Sequence, residues 1–149
     1  MFSTICVGYD GSEPSDNAIR MACDLATKYD SSVHVVHTPH PETVAFAMGA
    51  VAGYHVATTM PSAEETAKST AVMLEKAIET AKAAGHTGEI KTYVGEGDAA
   101  KALIEYANSV DSDLIVTGRR GLGNLSALVL GSTSQNVGHH ASCAHLTVK

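Results

Sequence analysis

What most limits the folds open to this chain is an alternation of short β-branched runs with segments of helical spacing. Thr4 to Tyr9 is an apolar run that stops at Asp10-Gly11-Ser12, as a buried strand does on entering a turn. Ser12 or Ser15 can cap the next segment, and Pro14 fits only a first helical turn. Ala18, Met21, Ala22, Leu25 and Ala26 then recur on one helical face. Ser32 to Thr38 is β-branched again and ends at Pro39. A helix between two such strands makes a β-α-β unit with parallel strands, because the crossover returns the chain to the same end of the sheet.

The pattern continues along the chain. Residues 39–61 are apolar from Val44 to Gly53, broken by glycine and bounded by prolines, and are expected to form a long, partly ordered connection. Ser62-x-x-Glu65 is a capping box, Ala67, Ala71, Leu74, Ile78 and Ala81 form an apolar stripe, and Gly85 supplies the stop. Glu89 to Val94 reads as a third strand, Asp98 caps a helix carrying Ala102, Leu103 and Tyr106, and Leu114 to Thr117 is a strand that runs straight into glycine. A helix over Ser132–His140 and a strand over His145–Val148 complete the series. With 149 residues, seven of them aromatic and none Trp, the chain has room for one domain, 1–149, with an aliphatic core. The predicted fold is α/β: a doubly wound, mostly parallel five-stranded sheet with helices on both faces. In such sheets ligands bind outside the carboxyl ends of the strands, so functional residues are expected after Tyr9, Thr38, Val94 and Thr117.

After Thr117 comes Gly118-Arg119-Arg120-Gly121-Leu122-Gly123-Asn124-Leu125, and further on Gly131-Ser132-Thr133-Ser134. Glycines let backbone N–H groups turn toward a ligand, and hydroxyl residues entering a helix add donors to its unpaired first-turn amides. Arg119 and Arg120 can bring guanidinium groups to the same place. The glycines could serve only a tight turn and a cap, but with two arginines and three hydroxyls beside them they read as an anion cradle. The cradle is not a Walker A loop, since no Gly-Lys-Ser/Thr follows the glycines, nor the Gly-x-Gly-x-x-Gly dinucleotide fingerprint, which belongs after the first strand. Asp10, a strand-end carboxylate, can bind ligand hydroxyls or a metal, or can cap the helix that follows it.

Over essentially its whole length the chain resembles the universal stress protein family. The residues that carry the likeness are Gly118-x-x-Gly121, followed after nine residues by Gly131-Ser132, and the opening Val7-Gly8-Tyr9-Asp10-Gly11-Ser12. The resemblance implies a Rossmann-like fold of the adenine nucleotide alpha hydrolase kind and an ATP-binding protein, with Mg2+ accompanying the nucleotide. It implies that Gly8, Tyr9 and Asp10 sit by the adenosine and that Thr38 meets the adenine through its backbone. Thr117, Gly118, Arg119, Arg120 and Gly121 would line the phosphate loop, and Gly131, Ser132, Thr133 and Ser134 would close on the phosphates. It also implies a homodimer paired through the C-terminal strand, His145 to Val148. Two positions depart from the family pattern: Thr38 stands where a hydrophobic residue is common, and Cys143-Ala144-His145 stands where Cys-Pro-Val is common.

Composition narrows the function further. The net charge of −6 argues against nucleic acid and anionic membranes as partners. It is unevenly spread: residues 1–113 carry −9, and residues 114–149, with Arg119, Arg120, Lys149 and no carboxylate, carry +3. With no transmembrane-length run and no secretory signal, the expected location is the cytoplasm. Cys6, Cys23 and Cys143 show no Cys-x-x-Cys spacing and are expected to be buried, and neither His37-x-x-His40 nor His139-His140 has a Cys or carboxylate at ligand spacing, so no metal site is assigned. No dedicated catalytic base can be placed, so any ATP hydrolysis is expected to be slow. The leading expectation is an ATP-dependent regulatory or stress-response module. The alternatives are a nucleotide-free dimeric interaction protein that docks through Val44–Gly53, and an adenylating enzyme.

Overall fold

The computed structural model describes residues 1–49, 60–122 and 130–149. Its elements are β1 (Thr4–Gly8), α1 (Glu13–Tyr29), β2 (Ser32–His37), α2 (Pro41–Ala47), α3 (Ala63–Ala83), β3 (Ile90–Val94), α4 (Ala99–Ser109), β4 (Leu114–Gly118), α5 (Ser132–His140) and β5 (Ala144–Val148). The strands form one sheet in the order β3-β2-β1-β4-β5, and all four ladders are parallel. Side chains alternate across the sheet, so the inner strands β1, β2 and β4 feed two cores. Ile5, Val7, Val33, Val35 and Val116 pack on one face under α1 and α3, with Ile19, Met73 and Ala77. Cys6, Val36 and Ile115 pack on the other face under α4 and α5, with Leu103 and Val137. Burial on both faces is why these strands read as near-continuous apolar runs.

One expectation becomes specific and another needs correction. The order in the partly ordered connection after β2 comes from α2, residues 41–47. Pro41 stands in its first turn, Thr43 Oγ1 accepts from His40 N at 2.8 Å and donates to His40 O at 2.9 Å, and buried Val44 anchors the helix. Residues 50–59, which hold the end of the Val44–Gly53 run, lie outside the described residues. The buried line of α3 runs through Ser69, Met73, Ala77 and Ala81, whereas Ala67 and Ala71 are exposed and Leu74 and Ile78 sit at its border. Met73 claims the inward position because its flexible thioether fits against the backbone of Gly11, where a Cβ would lie 2.6 Å from Sδ. Ser69 is tolerated in the buried line because its hydroxyl donates to Thr66 O at 2.9 Å.

No helix among the described residues is long and apolar enough to cross a membrane. The core beneath α1 gives a direct test of this packing. Ile19 is fully buried between α1 and the sheet. Ile19→Ala is expected to cost about 2–5 kcal/mol in urea unfolding, and a loss well under about 1 kcal/mol would contradict the packing.

Candidate functional site

β1 lies at the centre of the sheet. From it the chain passes to β2 and β3 on one side, then crosses to β4 and β5 on the other. The connections leaving β1 and β4 therefore diverge, and a crevice opens at their carboxyl ends. A cavity of about 520 Å³ occupies it. Gly8, Tyr9 and Asp10 line it from β1, Thr38 from β2, Thr117, Gly118, Arg120 and Gly121 from β4 and its loop, and Gly131, Ser132, Thr133 and Ser134 from the start of α5. Of the residues expected at the site, Arg119 alone is not part of the lining. Its backbone N–H donates to Val148 O at 2.5 Å and its carbonyl accepts from Gly131 N at 2.9 Å, tying the loop to β5 and to α5. Gly123, Asn124 and Leu125 lie outside the described residues.

The loop after β4 is shaped by close approach. A Cβ at Gly118 would come within 2.8 Å of the Pro14 carbonyl carbon and 2.9 Å of Arg120 O, both backbone atoms with no room to yield. A Cβ at Gly121 would overlap Asp10 Oδ2. Asp10 thereby fastens two loops together: Oδ1 accepts from Ser12 N at 3.0 Å and Ser12 Oγ at 2.5 Å, and Oδ2 accepts from Leu122 N at 3.1 Å. The N-cap of α1 is Ser12, not Asp10. Across the crevice, Gly131 caps α5, and the first helical bond runs from Gln135 N to Gly131 O at 2.9 Å. The N–H groups of Ser132, Thr133 and Ser134 thus have no carbonyl within the helix and lie at its positive end, beside Arg120.

Sequence reasoning missed several residues that line or support the crevice. Val36, Pro41, Ala99 and Leu103 give the β2 side an apolar wall, and His40, Glu42 and Asp98 add polar groups to it. The Asp98 carboxylate also caps α4 by accepting from Lys101 N at 2.8 Å. The acidic cap was legible, but its place beside the crevice depends on how β3 pairs with β2. His37 is fully buried, and its Nδ1 lies 2.9 Å from Tyr9 O, so Nδ1 carries the proton that holds the end of β1. Burial lowers the His37 pKa against the opposing pull of that bond and of Asp10, and the ring is neutral at pH 7. Tyr9 presents backbone to the crevice while its phenol turns to α1 and donates to Asp16 Oδ1 at 2.8 Å. Burial, reinforced by Asp16, pushes that phenol above its ordinary range. Lys76 of α3 pairs with Asp16 at 3.0 Å and donates to Gly11 O at 2.7 Å, bracing the same turn from behind. Among the described residues no three His, Cys, Asp or Glu side chains gather as a metal site.

Residues 1–149 match the profile of the Universal stress protein family. This chain belongs to that family. A universal stress protein of Thermus aquaticus is 33% identical over 149 residues, the whole of both chains. One from Mycolicibacterium smegmatis is 31% identical over 138 residues, which are 93% of this chain and 45% of that one. Among solved structures, a universal stress protein in complex with cAMP superposes with a TM-score of 0.71 at 26% identity, covering 99% of this chain and 96% of that one. The Archaeoglobus fulgidus universal stress protein in complex with dAMP gives a TM-score of 0.68 at 20% identity, covering 99% and 98%, and speaks to the fold alone. In this universal stress protein the Asp10 bridge is the joint between the β1 and β4 loops. Asp10→Ala is expected to destabilise the fold by about 1.5–3 kcal/mol, the range for hydrogen bonds to a charged group. It should also speed hydrogen exchange at the Leu122 amide, and unchanged protection there would show that the bridge does not hold the loop.

Proposed function

We propose that this universal stress protein binds ATP in the crevice between the β1 and β4 loops and acts as a nucleotide-dependent regulatory module in the cytoplasm. The observation that carries the reading is the convergence on one cavity of the first residues of α5, whose amides have no partner within the helix, with Gly118, Gly121 and the basic residue Arg120. About 520 Å³ is within the usual range for a small-molecule site. The polarity of the cavity orients the ligand. The phosphates belong at the α5 and Arg120 end, and the adenosine belongs against Val36, Leu103 and Thr38, where Glu42 and Asp98 would repel phosphate. The solved relative with cAMP supports an adenine nucleotide as the ligand class.

Both Asp10 oxygens already accept hydrogen bonds from the protein. The fit for Mg2+ is therefore as a companion of the nucleotide, held by phosphate oxygens and water, which magnesium keeps readily. The same engagement leaves Asp10 poorly placed as a general base, so hydrolysis is slow and occupancy of the site, rather than turnover, is the signal. Bound phosphates would order the loops that meet at Asp10 and Gly131 and so alter the surface offered to a partner protein. Among the described residues β5 pairs with β4 on one side only, and its free edge is where a second copy of the chain pairs in this reading.

Nucleotide content of the purified protein and thermal unfolding with Mg-ATP test the reading. ATP at about 100 times its Kd is expected to add about 2.7 kcal/mol, a Tm rise of roughly 5–10 °C. A Cβ at position 131 would already lie 3.4 Å from Arg119 O and Arg120 Cα. The branched side chain of Gly131→Val must therefore crowd the loop, and the shift is expected to vanish. A wild-type protein with neither bound nucleotide nor a shift would overturn the reading. A shift that survives Gly131→Val would put the nucleotide elsewhere.

A further inference from the structure

Thr117 Oγ1 lies 2.8 Å from His145 Nε2 and 3.0 Å from Ser134 Oγ. Thr117 and Ser134 are buried and line the crevice, whereas His145 stands on β5, outside the lining. Strand register produces the first contact. Ile115 is opposite His145 in the parallel β4–β5 ladder, so His145 and Thr117 project from the same face, the one covered by α5. Helix α5 makes room for the ring with Gly138, where a Cβ would lie 3.4 Å from His145 Nδ1. The first turn of the same helix supplies Ser134.

The three groups are coupled because a hydroxyl has one proton to give. If His145 Nε2 is bare, Thr117 must donate to it and accept from Ser134, and Ser134 then turns only lone pairs toward the crevice. If Nε2 carries the proton, it donates to Thr117, Thr117 donates to Ser134, and the Ser134 proton is free to point at a ligand. A phosphate oxygen accepts hydrogen bonds, so it selects the second arrangement. Burial lowers the His145 pKa. The ring is therefore neutral at pH 7, and the choice lies between its two tautomers, which a hydrogen bond at either nitrogen decides.

We propose that His145 is a positioning residue for the nucleotide phosphates: through Thr117 it sets the hydroxyl of Ser134 to donate to a phosphate oxygen. The proposal rests on the crevice being a nucleotide site, and it adds a residue that does not itself touch the ligand. It differs from a purely structural tie between β4, β5 and α5, because a structural tie is indifferent to which imidazole nitrogen carries the proton.

The test is ¹⁵N NMR of the imidazole nitrogens in the full chain at pH 7.5, without and with saturating Mg-ATP, joined to ATP affinities of two variants. The complex is expected to hold His145 as the Nε2–H tautomer. His145→Val leaves the buried Thr117 oxygen without its donor, so Thr117 competes with phosphate for the Ser134 proton and ATP should bind about tenfold more weakly, the scale of one hydrogen bond to a charged group. His145→Gln keeps an N–H donor and should bind within about threefold of wild type. A complex with Nε2 bare, or a folded His145→Val that binds as tightly as wild type, would overturn the relay. If the valine variant does not fold, the wild-type spectrum decides alone. A wild type that binds ATP while failing these expectations overturns only the relay, whereas one that binds no ATP overturns the nucleotide reading as well.

Discussion

The parallel pairing of β1 with both β2 and β4 is the constraint on which the rest of this molecule depends. It places β1 at the centre of the sheet and sends the chain to opposite sides after β1 and before β4. The loops at their carboxyl ends must part, and the gap becomes a crevice floored by strand ends instead of by packed side chains. The Asp10 carboxylate closes the gap at one point by bonding Ser12 and Leu122. Tyr9, Asp16 and Lys76 brace the same turn from the α1 and α3 side, and His37 braces it from β2. The turn after β1 is thus fixed by contacts with four other parts of the fold.

Electrostatics divide the crevice along its length. The chain's net charge is −6, yet residues 114–149 carry +3 and supply the α5 N-terminus, Arg120 and the loop glycines. The segment that offers donors holds no carboxylate, but the cavity as a whole does, because Asp10, Glu42 and Asp98 reach it from β1, α2 and the cap of α4. An elongated ligand with an anionic end and a neutral, hydroxyl-bearing end suits that gradient better than free phosphate, whose charge would gain nothing at the acidic end.

Much of the fold was legible because local chemistry and tertiary need agree. The runs of β1, β2 and β4 are buried on both faces, β3 is an exposed edge strand, and all four stop at glycine, proline or a turn, so the first four strands stand within about a residue of expectation. The glycine and hydroxyl residues that line the crevice were placed there for a related reason: close backbone approach and the opening of a helix are features that residue type alone reveals. Other features depend on partners distant in sequence. The helix α2 starts on the Thr43–His40 bonds and the burial of Val44, neither of which a proline-bounded apolar run announces. Met73 displaced the expected stripe of α3 because it packs on Gly11. Arg119 and Arg120 looked equivalent as neighbours, but only Arg120 lines the cavity, while the Arg119 backbone ties the loop to Val148 and Gly131. His37, Lys76 and Asp98 matter through strand order and helix packing, which one sequence does not display.

In the proposed site, adenine nucleotide phosphates are held by the backbone at the start of α5 and in the loop after β4. A ¹H–¹⁵N NMR titration of the uniformly labelled chain with ATP observes those amides directly. The largest shifts are expected on Gly118, Gly121, Ser132, Thr133 and Ser134, with the β3 edge, Ile90–Val94, undisturbed. Saturable shifts that leave residues 131–134 unmoved, or no shift at millimolar ATP, would contradict it.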